Sequence, residues 1–127
     1  SDLNRVSITA DLPEVPVYAP LCAPLFEWVV ENLCKNAIDA MENQGSIVVS
    51  IRKEGRQCLI EVSDTGKGIP SGRWETIFMP GYTTKSRGWG LGLSLAKRIV
   101  EEYHRGRIYV KSSDPASGTV FRIELNA

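Results

Sequence analysis

The order of strand-like and helix-like segments constrains the fold of this chain more than any other feature of its sequence. Val6–Ala10 alternates apolar and polar residues and predicts a strand, whereas the four prolines between Leu12 and Pro24 exclude a helix. The following segments predict a helix over Leu25–Asn43, strands over Ser46–Arg52 and Gln57–Ser63, a helix over Leu91–Tyr103, and strands over Arg107–Ser113 and Thr119–Leu125. Paired strands interrupted by single helices favour an α+β fold. We expect a two-layer α/β sandwich, with a mixed sheet of about five strands faced by about three helices.

Apolar periodicity defines the two long helices. The stripe of the first helix consists of Phe26, Val29, Val30, Leu33, Ala37 and Met41. Pro24 suits its first turn, and Gly45 is the stop signal after it. The stripe of the second helix consists of Leu91, Leu95, Ile99 and Val100. Turns are predicted at Lys53–Arg56 and Asp114–Gly118. The glycine-rich stretch Thr65–Gly90 is long for a compact domain, and such loops are usually functional, often as lids.

The size and composition of the chain exclude several classes of protein. Its 127 residues suit one domain, and a chain of this length buries roughly two-thirds of the surface that its unfolded form exposes. With 43% hydrophobic residues and a formal net charge of zero, it has no charge excess that would attract nucleic acids or anionic membranes. No apolar run approaches the ~20 residues of a membrane span, and no signal peptide is recognisable. Cys22, Cys34 and Cys58 are spaced irregularly, so we expect three buried, reduced thiols in a cytoplasmic domain.

Two asparagines of the first helix are candidate ligand contacts. Asn32 and Asn36 are four residues apart and share a face that flanks the apolar stripe. A carboxamide oxygen is a hard ligand that suits Mg²⁺. Taken alone, the pair is more typical of helix-surface residues that make local hydrogen bonds.

A carboxylate and two glycines follow the third predicted strand, in the segment Asp64–Pro70. Asp64 can accept a hydrogen bond from an exocyclic amine such as N6 of adenine. Gly66 and Gly68 allow the backbone to approach a flat ring closely and permit positive φ. Taken alone, the pattern is more typical of an ordinary Asp-x-Gly turn.

A second glycine-rich segment, Gly88–Leu93, leads directly into the second helix. Free backbone N–H groups and the positive end of the helix dipole make such a helix start a candidate phosphate site. The segment has neither the spacing of the dinucleotide fingerprint nor that of a P-loop. Just before it, Thr83, Thr84 and Lys85 supply two hydroxyls and a cation for a terminal phosphate, although a solvated loop lysine is the commoner case.

Together, and in this order, these motifs resemble the gyrase, chaperone, histidine-kinase and MutL superfamily of ATP-binding domains, the Bergerat fold. The resemblance covers roughly Leu25–Leu125. It comprises an N box at Glu31–Ala37, a first glycine box at Asp64–Gly68, an F box at Ile77–Lys85, a second glycine box at Gly88–Leu93 and a third at Gly118–Thr119. It implies ATP and Mg²⁺ as ligands and a long ATP lid.

The resemblance also implies roles for individual residues. Asp64 would bind adenine with support from Thr119, Asn36 would hold Mg²⁺, and Asn32 would assist near the phosphates. Asn32, Asn36 and Lys85 would be the catalytic residues. The full set of implied nucleotide contacts is Asn32, Asn36, Asp39, Asp64, Gly66, Gly68, Ile69, Phe78, Tyr82, Thr83, Thr84, Lys85, Gly88, Gly90, Leu91, Gly92, Leu93 and Thr119.

One position of the N box distinguishes between branches of the superfamily. In the hydrolysing members, a glutamate four residues before the metal-binding asparagine activates water, but here that position is Asn32, which cannot accept a proton. Glu31 precedes it and points about 100° away on a helix. The resemblance therefore implies a sensor histidine kinase. Such a kinase transfers the γ-phosphate to a histidine on a separate dimerisation and phosphotransfer domain, and from there to a response regulator.

The remaining expectations concern the acceptor, the rival functions and the cellular context. The only histidine, His104, lacks the flanking residues of the family's acceptor, and we interpret it as structural. The alternatives are a Bergerat-fold ATPase, an anti-sigma-type serine kinase, and a degenerate ATP-binding module. We expect residues 1–127 to form a single catalytic domain of a longer kinase. It should be monomeric in isolation, contact neither nucleic acid nor membrane, and lie on the cytoplasmic side if the parent is membrane-anchored.

Overall fold

The strands of this protein form one mixed sheet. The computed structural model describes residues 5–81 and 92–126. Within these ranges the strands and main helices are β1 (Arg5–Asp11), α1 (Ala23–Ala40), β2 (Gln44–Glu54), β3 (Gln57–Asp64), α2 (Gly92–Arg98), β4 (Arg107–Asp114) and β5 (Gly118–Asn126). The five strands are ordered β1-β2-β3-β5-β4, with β1 parallel to β2 and the other described pairs antiparallel. The predicted α+β fold with a mixed sheet is confirmed.

The hydrophobic core lies between the helices and one face of the sheet. Phe26, Val29, Leu33 and Ala37 of α1 are buried in it, as the predicted stripe requires. The sheet contributes buried side chains from its central strands: Ile47, Cys58, Ile60, Val62, Phe121, Ile123 and Leu125. Because side chains alternate along a strand, the residues between these point to the opposite face.

The opposite face of the sheet carries a charged network centred on Glu61 of β3. Only 8% of Glu61 is exposed, and its carboxylate lies 2.6 Å from Arg122, 3.3 Å from Lys111 and 3.7 Å from Arg52. Burial alone would raise the pKa of Glu61, but hydrogen bonds from Arg122 and Lys111 outweigh it and lower the pKa. The network thus keeps a nearly buried carboxylate ionised in the middle of the sheet.

The end of α1 differs from the prediction. The helix ends at Ala40 rather than near Asn43, because Glu42 and Asn43 adopt left-handed conformations with φ of 55° and 63°. The N–H of Asn43 still bonds to the carbonyl of Ile38 at 3.1 Å, which closes the helix end. The chain then enters β2 at Gln44, before the predicted stop signal at Gly45.

The second helix also differs from a single regular α-helix. After α2, residues Ile99–Tyr103 form a π-helical turn. The N–H of His104 bonds to the carbonyl of Ile99 at 3.1 Å, and its Nδ1 lies 2.8 Å from the same oxygen. The predicted apolar stripe was wrong for Leu95, which is 39% exposed. The prediction was right for Val100, which is buried, and for Ile99, which packs against the core. Within α2 the buried residues are Ser94 and Ala96, because this helix meets the core with its small side chains.

Smaller corrections concern the loops and the cysteines. The β2–β3 turn comprises only Gly55 and Arg56, since both strands are longer than predicted. The long loop contains 3₁₀ turns at Ser71–Arg73 and Thr76–Phe78. Of the three free cysteines only Cys58 is buried, whereas the prediction placed all three inside. Across residues 5–81 and 92–126, no helix combines the length and hydropathy that crossing a membrane requires.

Candidate functional site

The most unusual group at the site is the buried carboxylate of Asp64, at the end of β3. It is 5% exposed and accepts hydrogen bonds from the N–H groups of Gly66 at 2.8 Å and Thr119 at 3.2 Å. Both bonds end on Oδ1, and Oδ2 receives neither of them. Burial raises the pKa of Asp64, and the two backbone hydrogen bonds only partly oppose this effect. The fold therefore holds an acceptor in a place where its ionised form is costly.

Two glycines allow the backbone to pack closely around this carboxylate. Gly118 has a φ of 86°, and a Cβ on it would lie 2.0 Å from the backbone oxygen of Asp64. A Cβ on Gly66 would lie 2.9 Å from the backbone of Ala40, at the end of α1. The loop after β3 also bonds to α1, through Lys67 N–H and the carbonyl of Ala40 at 3.3 Å. Only glycine fits at position 118, because a side chain there would be strained by the positive φ and would collide with the backbone of Asp64.

Two hydroxyl side chains connect the loop after β3 to the β4–β5 hairpin. Thr119 is 2% exposed, and its Oγ1 lies 2.7 Å from Oγ of Ser113. Ser113 Oγ accepts a hydrogen bond from Ile69 N–H at 2.7 Å, and Ile69 in turn accepts one from the indole of Trp74 at 2.8 Å. The structure thus brings the predicted residues Asp64, Gly66, Ile69 and Thr119 together in one cluster, with Gly68 in the same loop.

A second cluster lies where α1 meets the start of α2. Asn32 and Asn36 are both half-buried on α1. The amide nitrogen Nδ2 of Asn32 is buried and has no hydrogen-bond partner within the described part of the chain. It faces Gly92, because a Cβ on that glycine would lie 2.7 Å from it. A buried donor without a partner is rare in native proteins and indicates a place for an acceptor.

Helix α1 links the two clusters. Ala40 contacts the loop beside Asp64, Asn36 lies one turn earlier, and Asn32 lies one turn earlier again. At 1.5 Å per residue, Asn32 and Ala40 are about 12 Å apart along the helix axis. The arrangement suits an elongated ligand with a hydrogen-bonding ring at one end and acceptor oxygens at the other.

Other predicted contacts lie in the core or on the surface. Phe78 is 6% exposed and packs edge-on against Phe121, with ring centroids 6.1 Å apart. Leu93 is half-buried against the core, and Asp39 is exposed. Contact of these three residues with a ligand stays a prediction. The predicted contacts that lie outside the described residues are Tyr82, Thr83, Thr84, Lys85, Gly88, Gly90 and Leu91.

Sequence reasoning missed Ser113 and Met41. The thioether of Met41 lies 3.4 Å from both the backbone nitrogen and the hydroxyl of Thr65, so it supports the turn that follows Asp64. The predicted hairpin contained the signal for Ser113, since a tight turn at 114–118 places it opposite Thr119. No comparable signal pointed to Met41, whose position looked like any other place on the apolar stripe of α1.

The single histidine occupies a structural position. Its Nε2 accepts a hydrogen bond from the N–H of Cys22 at 2.9 Å, and Nδ1 contacts the carbonyl of Ile99. Its ring also packs edge-on against Phe26 at 5.9 Å. These contacts require a neutral ring with the proton on Nδ1. His104 therefore joins the start of α1 to the π-helical turn, in agreement with the structural role expected from the sequence.

The fold matches solved domains of one kind. The catalytic domain of the histidine kinase ThkA superposes with a TM-score of 0.85 at 29% sequence identity, over 96% of this chain and 79% of that one. A structure of ThkA in complex with the response regulator protein TrrA matches with a TM-score of 0.80 at 26% identity, over 95% of this chain and 34% of that one. The mixed sheet and its helices thus have the fold of a histidine kinase catalytic domain.

Sequence comparisons identify the family. The model of the histidine kinase-, DNA gyrase B- and HSP90-like ATPases matches residues 23–127. The sensor histidine kinase ZraS of Salmonella typhi is 45% identical over 98 residues, which cover 76% of this chain and 21% of that protein. Sporulation kinase E of Bacillus subtilis is 38% identical over 129 residues, which cover 98% of this chain and 17% of that protein. The chain belongs to this ATPase family and spans about a fifth of the length of these two relatives.

Proposed function

We propose that this chain is the ATP-binding catalytic domain of a sensor histidine kinase. It binds Mg-ATP and donates the γ-phosphate to a histidine on a separate dimerisation and phosphotransfer domain. The buried carboxylate of Asp64 is the observation that carries the proposal. The carboxylate is held at a strand end with both backbone hydrogen bonds on Oδ1, so Oδ2 can accept a hydrogen bond from an exocyclic amine. Its pKa, raised by burial, is a perturbation typical of functional sites.

The amide of Asn32, which has no hydrogen-bond partner among the described residues, supports the proposed position of the phosphates. Its Nδ2 is a buried donor, and phosphate oxygens are acceptors. Asn32 lies next to Gly92, which is the first residue of α2 and the last glycine of the second glycine box. A nucleotide with its base at Asp64 and its phosphates near Asn32 would run along α1 and satisfy both groups.

The residues present fit a magnesium ion brought in with the nucleotide. Magnesium bound to substrate phosphates keeps several waters and takes few protein ligands, so the carboxamide oxygen of Asn36 suffices as the protein's share. The described residues contain no group of three or more His, Cys, Asp or Glu side chains that could hold a metal. Bound there, the ion would neutralise phosphate charge, while Asn36 orients it from α1.

The side chains around Asn32 favour transfer of the phosphate over its loss to water. Asn32 cannot act as a base, and the neighbouring Glu31 is exposed on α1 instead of facing the site. Catalysis would rest on positioning and charge neutralisation, as is usual for phosphoryl transfer. His104 has both ring nitrogens engaged within the fold, so the phosphoacceptor histidine has to come from elsewhere.

Relatives support the wider context of the proposal. The ThkA structure with the response regulator TrrA supports a role in two-component signalling. We propose that residues 1–127 are one domain of a longer kinase, with the phosphoacceptor domain as direct partner and a response regulator downstream. The domain would be monomeric in isolation and work in the cytoplasm.

Incubation with a phosphoacceptor domain tests the activity. Radiolabelled γ-phosphate of ATP should appear on the histidine of a phosphoacceptor domain taken from a close relative, and an acceptor with that histidine changed to Gln is the control. Acid-labile, alkali-stable label on the acceptor supports a histidine kinase. Steady phosphate release without label would indicate an ATPase instead, and label on serine would indicate a serine kinase. ATP binding without either activity would indicate a degenerate binding module.

A further inference from the structure

Ser113 is the residue that joins the loop after β3 to Thr119. It lies on β4, directly opposite Thr119 in the register of the β4–β5 pair. Its Oγ accepts a hydrogen bond from Ile69 N–H at 2.7 Å and lies 2.7 Å from Oγ1 of Thr119. The N–H···O distance is at the short end of its usual range and the O···O distance is the common one, so two well-formed contacts hold the serine hydroxyl.

The bond from Ile69 favours one direction for the hydroxyl protons. A serine hydroxyl has one proton to donate and two lone pairs to accept with. Because Ile69 N–H takes one lone pair, Ser113 gains a cooperative chain if it donates its own proton to Thr119. The reverse direction would make Ser113 accept two bonds and leave its proton to find another acceptor. In the favoured direction, the Thr119 proton is left to point away from Ser113.

This direction gives the site a donor next to an acceptor. Thr119 is tied to Asp64 by its own N–H, which bonds to Oδ1 at 3.2 Å. The Thr119 hydroxyl then offers a proton beside a carboxylate that only accepts. The Watson–Crick edge of adenine carries a donor at N6 and an acceptor at N1, and it matches this pair. The edge of hypoxanthine or guanine reverses both groups, with an acceptor at O6 and a donor at N1.

We propose that Ser113 is a positioning residue for base selectivity, which acts by holding the Thr119 hydroxyl as a donor. The inference rests on the proposed nucleotide-binding function and adds to it the group that makes Thr119 discriminate between bases. Ser113 itself touches no base in this account. Its effect should therefore appear in the ratio of affinities for two bases more than in the stability of the fold.

Titration calorimetry of variants with ATP and inosine triphosphate tests this role. In Ser113→Ala, ATP should bind about two- to tenfold more weakly, as expected for one hydrogen bond. Inosine triphosphate should not weaken in proportion, because the released Thr119 hydroxyl can rotate and accept a bond from N1–H. Ser113→Thr keeps the hydroxyl and should retain the parent ratio. Ser112→Ala, at the exposed neighbouring position, is the matched control and should leave the ratio unchanged.

A double-mutant cycle separates this role from general support of the loop. In a Thr119→Val background, the Ser113 change should no longer alter the ratio, because its target hydroxyl is gone. An equal loss for both nucleotides in Ser113→Ala, or additive effects in the cycle, would overturn the positioning role. If Ser113→Ala does not fold, Ser113→Cys replaces it, because a thiol forms only weak hydrogen bonds. The ratio of its affinities for ATP and inosine triphosphate is then compared in the same way.

The same titration separates failure of the inference from failure of the proposed function. A parent chain that prefers ATP, with an unchanged ratio in the variants, refutes only the role of Ser113. A parent chain that binds neither nucleotide refutes both.

Discussion

Replacing Asp64 by asparagine separates two effects of the buried charge: its cost to the stability of the fold and its contribution to the affinity for ATP. Asn keeps an Oδ1 atom that can accept from the N–H groups of Gly66 and Thr119, as Asp64 does at 2.8 and 3.2 Å. It replaces the second carboxylate oxygen by an NH₂ group, which donates and cannot accept. The change therefore preserves the loop and reverses the hydrogen-bonding character presented to a ligand.

The expected loss of affinity is large. A hydrogen bond to a charged group contributes about 1.5–3 kcal/mol, which corresponds to a loss of about ten- to 150-fold in affinity for ATP. The new NH₂ group would also face the amine of adenine, donor against donor, which places the expected result toward the upper end of that range. Guanine presents an acceptor at this position, so the preference for ATP over GTP should shrink or reverse.

The expected effect on stability has the opposite sign. The pKa of Asp64 is raised in the folded state, mainly by burial. Folding therefore favours the protonated form of Asp64. The resulting gain in stability is complete below the ordinary pKa of Asp64 and is lost as pH rises through its raised pKa in the folded state. At pH 7 the ionised group opposes folding, and Asp64→Asn removes that opposition. The variant should be at least as stable as the parent at neutral pH, and its advantage should vanish in acid.

Two measurements on the parent and the Asp64→Asn variant test both expected effects. Chemical denaturation of the parent and the variant across pH 3–8 gives the stability difference, and calorimetric titration with ATP and GTP at pH 7 gives affinity. A variant that is destabilised at neutral pH would show that the carboxylate supports the fold. Unchanged ATP affinity would refute the assignment of Asp64 to the base.

Three further predictions follow from other contacts. Asn36→Ala should weaken ATP binding only when Mg²⁺ is present, and an equal loss with and without Mg²⁺ in calorimetry would refute a metal role. Gly118→Ala should lower the free energy of unfolding by at least about 2 kcal/mol more than Gly55→Ala, because both have positive φ but a Cβ at Gly55 meets nothing within 4 Å. Similar losses in denaturation would contradict the close packing described. Glu61→Gln should cost about 1–3 kcal/mol at pH 7. The lowered pKa of Glu61 means that this contribution is present above its ordinary range and lost as pH falls through the lowered value, so a cost that does not depend on pH would contradict the network.

Much of the fold could be predicted because each element has a strong local signal. The apolar stripe from Phe26 to Met41 and the alternating strands set the element order, and the hairpin turns set the β2–β3 and β4–β5 pairs. The ends of the helices were less predictable. Glu42 and Asn43 adopt positive φ without being glycine, and the π-helical turn depends on the contact of His104 with Ile99. These are tertiary effects that a local pattern does not contain.

The candidate site was predictable as a set of motifs but not as an arrangement. Asp64 and Thr119 are far apart in sequence, and their contact follows from the pairing of β3 with β5. Three features emerge only from packing: the burial of Asp64, the position of Ser113, and the amide of Asn32, which lacks a partner within residues 5–81 and 92–126. The sequence thus predicted which residues form the candidate site, while their burial and hydrogen bonding depend on the fold.

We propose that this domain holds an adenine nucleotide along α1, between Asp64 and Asn32. Calorimetric titration of the parent chain with ATP, ADP and GTP, each with and without Mg²⁺, tests it most directly. We expect saturable binding of ATP and ADP, much weaker binding of GTP, and tighter binding of ATP when Mg²⁺ is present. Binding of none of the three nucleotides, or equal binding of ATP and GTP, would contradict it.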